Sequence, residues 1–174
     1  MLVIHIDNMF DTTPLSKVYQ GIDCKILYNP TSRNKAIDAL KEENEMVVFL
    51  GHGTPEGLIP PNWRSYIFDR SMASLLLGKT CVGIWCDACD FAEKYSLKGF
   101  FTDMFISNQN EANMFGFDAS NADVLAQVRL FCDSVNRLLR EKKPMSSWID
   151  SIKAEGHLEK DFVRYNYDGL KILV

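Results

Sequence analysis

A chain of 174 residues with 47% hydrophobic and 24% charged side chains has the length and balance of one globular domain, able to bury a core without disulfides or a metal. Its formal charge of −4 argues against nucleic acid as the main partner, and no apolar run approaches the roughly 18 residues of a membrane-spanning helix. MLVIHIDNMFD at the N-terminus has no basic n-region and no small-residue cleavage site. The five irregularly spaced cysteines are an odd number, so the expectation is a cytoplasmic protein with reduced thiols and no membrane partner.

In chain order, LVIHI (2–6) and CKILY (24–28) predict strands. Ser32 is placed to cap a helix through about Lys41, with Ala36, Ile37 and Leu40 at helical spacing. MVVFL (46–50) reads as a buried strand. GLI (57–59) and SYIFD (65–69), on either side of Pro60-Pro61-Asn62, predict a hairpin. SMASLLL (71–77) reads as a short helix stopped by Gly78, and TCVGIW (80–85) and GFFTDMFIS (99–107) as further strands. Ser120 opens a long helix to about Glu141, with Asp123 returning a contact to the cap. Its apolar stripe, Val124, Val128, Phe131, Val135 and Leu138, reads as core, and Lys142-Lys143-Pro144 ends it. Trp148 to Ala154 predicts a short helix and DGLKILV (168–174) a last strand or tail. Short apolar strands alternating with helices predict a single α/β domain, its sheet mostly parallel and flanked by helices on both faces.

Trp85-Cys86-Asp87-Ala88-Cys89 fits W-C-x-x-C, the redox motif of thioredoxins, where a helix N-terminus lowers the pKa of the first thiol. Against a dithiol oxidoreductase stand the Asp beside the thiol and the late arrival of the motif. No proline between Pro61 and Pro144 is available for a cis turn at the site. One C-x-x-C supplies two of the four ligands of structural zinc, and His5, His52 and His157 are isolated, so no metal is expected.

VVFLGHG places His52 just past one buried strand, and VGIWC places Cys86 just past the next. Ligands of open α/β sheets bind at the carboxyl ends of strands, and neighbouring strands lie about 5 Å apart. A carbonyl group then fits between imidazole and sulfur. The backbone N–H groups of Gly53 and Cys86 are placed to receive an oxyanion, with the flanking glycines letting the backbone approach closely.

GHG at 51–53 and IWC at 84–86, with a hairpin and a helix between them, resemble the signature of the caspase-like cysteine peptidases. That superfamily includes caspases, legumains, gingipains, separases, CHAT proteases and the self-cleaving domains of clostridial toxins. LKGFFTDMFISNQNEA (97–112), followed by the long helix, resembles the CHAT segment beyond the nucleophile. The resemblance covers about residues 1–145, leaving 146–174 as a C-terminal extension. It implies a caspase-like domain and a cysteine endopeptidase acting on protein or peptide without a cofactor, with Cys86 as nucleophile and His52 as general base. Caspase Q-A-C-x-G is absent, and an aspartate follows Cys86. Asp87-Ala88-Cys89 is similar to the Glu-Ala-Cys of legumains, which makes Cys89 the alternative nucleophile. In this superfamily the end of the first strand, here Asp7-Asn8-Met9, often helps form the S1 pocket. Ser107, Asn108 and Glu111 are placed to line its other wall, and such carboxylates suit a basic P1 side chain. The alternative function is a non-catalytic caspase-like module that binds a protein partner. His5, Cys24, Cys81, Cys132 and Trp85 read as packing residues.

Overall fold

The computed structural model describes residues 1–8, 11–60 and 65–174. From the N-terminus the chain forms β1 (Leu2–His5), a 3-10 helix (Thr13–Tyr19), β2 (Lys25–Tyr28), α1 (Arg33–Glu42) and β3 (Met46–Leu50). Three two-residue strands follow, β4 (Gly53–Thr54), β5 (Gly57–Leu58) and β6 (Phe68–Asp69), then a second 3-10 helix (Arg70–Leu76) and β7 (Thr80–Ile84). The rest is α2 (Ala88–Lys94), β8 (Lys98–Thr102), α3 (Gln109–Met114), α4 (Asn121–Arg140), a 3-10 turn (Met145–Ser147), α5 (Trp148–Glu155), α6 (Asp161–Asp168) and β9 (Leu170–Leu173).

Six strands make one sheet in the order β2-β1-β3-β7-β8-β9, all parallel except β9, which runs antiparallel to β8. The inner strands are continuous apolar runs because both of their faces are covered. Val48, Leu50, Val82, Ile84 and Phe100 pack with α4, α5, α6 and the first 3-10 helix. Their neighbours Val47, Phe49, Cys81 and Phe101 pack with α1, the second 3-10 helix and α2 on the other face. All five stripe residues of α4 are buried, and Ser120 accepts from the Asp123 N–H at 3.1 Å while its hydroxyl donates to the Asp123 carboxylate at 2.5 Å. No helix among the described residues is long and apolar enough to cross a membrane.

Several elements differ from expectation. The strand predicted over 99–107 keeps its ladder only to Thr102. The chain then leaves the sheet, because Asn166 takes the place of a neighbouring strand: its amide accepts from Ile106 N at 2.8 Å and donates to Ile106 O at 2.9 Å. That departure carries residues 107–111 toward the sheet edge. The element predicted over 71–77 is a 3-10 helix, its first turn held by Asp69, which accepts from Ser71 N at 3.0 Å. The hairpin of β5 and β6 is extended by β4 into three strands. Its Pro61-Asn62 turn lies outside the described residues, as does Met9. The helix expected from Trp148 and the last strand expected within 168–174 are present as α5 and β9, and they make residues 146–174 part of the sheet and its core: β9 pairs with β8, and Trp148 is buried with its Nε1 donating to Lys143 O at 3.1 Å. α2, α3 and α6 have seven, six and eight residues, too short for helical periodicity to stand out in the sequence.

Candidate functional site at the carboxyl edge of the sheet

β3 and β7 are adjacent and parallel, with Leu50 opposite Ile84 and Gly51 N donating to Ile84 O at 3.2 Å. The residues that follow, His52 and Cys86, therefore leave the sheet at the same edge and line one small cavity of about 20 Å³, room for about one water. The backbone shape depends on two glycines. Gly51 has φ +146°, and a Cβ there would lie 2.6 Å from Ile6 O. A Cβ on Gly53 would lie 2.0 Å from Cδ1 of Trp85. The Trp85 ring is buried against Phe49, Phe68 and Phe91, and its Nε1 donates to Thr54 O at 3.2 Å, which ties the end of β7 to the β4 hairpin. Ile59 N donates to His52 O at 2.9 Å. Gly53 and Leu58 are then the non-hydrogen-bonded pair of β4 and β5, and the Gly53 N–H points away from β5.

The imidazole is held by an acid that does not stand out in the sequence. Nε2 of His52 lies 2.9 Å from Asp11 Oδ1. Asn8 Nδ2 donates to the same oxygen at 2.5 Å, and Asn108 Nδ2 donates to Asp11 Oδ2 at 2.8 Å. Asn8 Nδ2 is also 2.9 Å from His52 Nε2. A carboxylate is the stronger acceptor, so we assign the Nε2 proton to the Asp11 bond, and Nδ1 becomes the nitrogen through which the ring can take a proton. The hydrogen bond from Asp11 raises the His52 pKa above its ordinary value, burial opposes it, and the charges of Asp11 and Glu111 add to the rise. Burial alone would raise the Asp11 carboxyl. The bond and charge of His52, with Asn8 and Asn108, more than reverse that and hold it well below the usual carboxylate range.

Asp7 does not line the cleft. It is buried, and its carboxylate accepts from the hydroxyls of Thr12 at 3.1 Å, Thr13 at 3.0 Å and Tyr28. These bonds tie Thr12 and Thr13 to the end of β1, next to Asp11, whose carboxylate reaches His52. Ser107, Asn108 and Glu111 form the start of α3: Asn108 Oδ1 accepts from Glu111 N at 3.0 Å, and Glu111 Oε2 accepts from Ser107 N at 2.7 Å and Ser107 Oγ at 3.0 Å. This is a capping box shifted by one residue. It leaves Glu111 beside the cavity and Asn108 on Asp11.

Cys86 Sγ donates to Phe105 O at 3.8 Å. Burial pushes the thiol up to about 12, and the carboxylates of Glu111, Asp87 and Asp11 add to it. Asp87 itself sits in the left-handed region at φ 64°, where it starts α2. Cys89, one residue into that helix, is fully buried in the cluster of Trp85 and Phe91 and lies apart from the residues lining the His52–Cys86 cavity. All five thiols are free. His5 is fully buried and satisfied: Nδ1 meets Tyr19 OH at 3.0 Å and Nε2 meets Thr12 O at 3.1 Å. Because a carbonyl only accepts, Nε2 carries the hydrogen, and burial holds the ring neutral by lowering its pKa.

No protein-family model matches this chain, and no curated protein matches it either.

Proposed function

We propose that this edge of the sheet is the active centre of a cysteine hydrolase cleaving peptide bonds, on the plan of the caspase-like peptidases. The observation that carries the proposal is the placement of His52 and Cys86 on one cavity at the ends of adjacent parallel strands, with the imidazole paired to Asp11. In the resting protein the thiol is neutral and bonded to Phe105 O. A docked peptide carbonyl draws the sulfur away from that bond. Cys86 attacks the carbonyl carbon as His52 takes the thiol proton, and Asp11 steadies the imidazolium. The oxyanion is received by the N–H groups of Gly53 and Cys86. His52 then protonates the leaving amine, and water hydrolyses the thioester. The chemistry needs a reduced thiol, as in the cytoplasm.

The test is labelling by peptidyl acyloxymethyl ketones, mapped by mass spectrometry, together with turnover of a mixed peptide library. Labelling at Cys86, lost in His52→Ala, and turnover lost in Cys86→Ala but kept in Cys89→Ala support the assignment. Turnover that survives Cys86→Ala would remove it.

A second reading, a non-catalytic module of the same plan that binds a protein partner, is favoured by one observation: the thiol is tied to Phe105 O, away from solvent, with the acids Glu111, Asp87 and Asp11 around it, an environment that disfavours a thiolate. It predicts neither labelling nor turnover in the intact protein.

A further inference from the structure

We propose that Asp11, His52 and Glu111 form a zinc site, and that zinc bound there holds the Cys86 hydrolase inactive; the second half rests on the function proposed above. The three side chains come from the loop after β1, the end of β3 and the first turn of α3. Each brings one ligand atom, two carboxylate oxygens and a ring nitrogen, and these atoms all lie within 4.8 Å of one another. Bonds of about 2.0–2.2 Å place two ligands of one zinc ion about 3–4 Å apart. The 2.9 Å between His52 Nε2 and Asp11 Oδ1 already matches that spacing, and with all three atoms within 4.8 Å, a shift of no more than about 1 Å closes the set.

The surroundings are those of a ligand set. Asn8 and Asn108 each donate to an Asp11 oxygen, and the backbone and hydroxyl of Ser107 both donate to Glu111 Oε2. Such outer bonds orient carboxylates before a metal arrives. Charge points the same way. Two carboxylates face one imidazole, with Asp87 a third acid acting on Cys86, and a dication relieves that repulsion. The donors select the ion: an imidazole nitrogen beside two carboxylates favours zinc over the oxygen-seeking magnesium and calcium. Zinc on Nε2 displaces the proton from that nitrogen and leaves the ring's one hydrogen on Nδ1, so the metalated His52 has no nitrogen free to take the Cys86 proton and the reaction cannot start.

The experiment has two arms on the purified full chain. In the first, zinc binding is measured by competition with a chromophoric chelator for wild type, Glu111→Gln, Asp11→Asn and the control His157→Gln, with circular dichroism to show that each is folded. One zinc per chain, an affinity lowered at least about tenfold in both acid variants and unchanged in His157→Gln, establishes the site. Absence of one-to-one binding, or binding that Glu111→Gln and Asp11→Asn both leave intact, overturns it. In the second arm, labelling of Cys86 is followed with zinc and with EDTA. Labelling blocked by zinc, restored by EDTA, and in Glu111→Gln needing at least about tenfold more zinc to block, supports inhibition. Labelling indifferent to bound zinc overturns inhibition while leaving the site. Zinc bound at the site of a protein whose Cys86 stays unreactive even in EDTA overturns the hydrolase assignment instead.

Discussion

Asp11 and His52, 41 residues apart in the chain, meet with Oδ1 2.9 Å from Nε2. That contact gives the histidine an orientation, a tautomer and a raised pKa. Asp11→Asn should lower the pKa of His52, because it removes the anion that favours the imidazolium. Titration of the ring signals by NMR measures this directly, and an unchanged value would show that Asp11 does not govern the ring. If the hydrolase assignment holds, peptide turnover should fall by about 100-fold in the same variant.

The burial of Cys86 has a kinetic signature. With the thiol pushed up to about 12, its alkylation by iodoacetamide should rise about tenfold per pH unit through pH 10 without a plateau. Mass-resolved alkylation rates would show this. A plateau near pH 8 would mean that the thiol ionises as an exposed one does.

Arg33 and Asp69 join the start of α1 to the second 3-10 helix through a two-pronged pair, with Nη1–Oδ2 at 2.7 Å and Nη2–Oδ1 at 3.0 Å. The Arg33 bond is the main reason the Asp69 carboxyl is held down at about 2, against the raising effect of burial. A depressed folded pKa stabilises the fold above the unfolded value of about 3.9 and loses that stabilisation as pH falls through about 2. Asp69→Asn should therefore cost about 1 kcal/mol at pH 7. The difference from wild type should shrink between pH 4 and pH 2. Urea melts across that range would reveal a constant gap if the pair contributed nothing.

Gly53 packs its α-carbon against the indole of Trp85. Gly53→Ala must push the ring or the β4 hairpin aside and should cost about 1–3 kcal/mol. Gly51→Ala adds a strained φ to a clash with Ile6 O and should cost at least as much. Chemical denaturation of both, beside a solvent-facing substitution such as Lys35→Ala, would expose an error if all three melted alike.

If the hydrolase assignment holds, substrate preference follows from charge. Acids surround Cys86, and Asp87 has its own carboxyl raised by burial and by Asp103 and Asp90. Peptides with Arg or Lys at P1 should be turned over faster than those with Asp. Asp87→Asn should narrow that preference. Asp7→Asn should act on thermal stability instead, since Asp7 is buried under three hydroxyls. A library profile favouring acidic P1 would reverse the assignment.

Residues 46–50 and 80–84 are readable as buried strands from sequence because a parallel strand covered on both faces needs an unbroken apolar run. α4 is readable because a 20-residue helix repeats its apolar stripe often enough to be seen, with Ser120 marking its start. His52 and Cys86 stand out for the same reason: they follow such strands directly, and the sheet carries strand ends to a common edge. Nothing periodic marks Asp11, Asn108 or Glu111. Their meeting with His52 depends on loop geometry: hydroxyl bonds tie Thr12 and Thr13 to Asp7, next to Asp11, and the Asn166 amide draws residue 106 out of the strand. Likewise, W-C-x-x-C does not say where its two sulfurs face. The strand-to-helix turn at Asp87 leaves Cys86 on the cavity and places Cys89 in the core. The local chain thus determined the strands, the long helix and the histidine and cysteine at their ends. The charge around that pair, and the acids able to hold a metal beside it, were decided only when distant loops closed over the sheet edge, because short-range electrostatics depends on proximity in space and not along the chain.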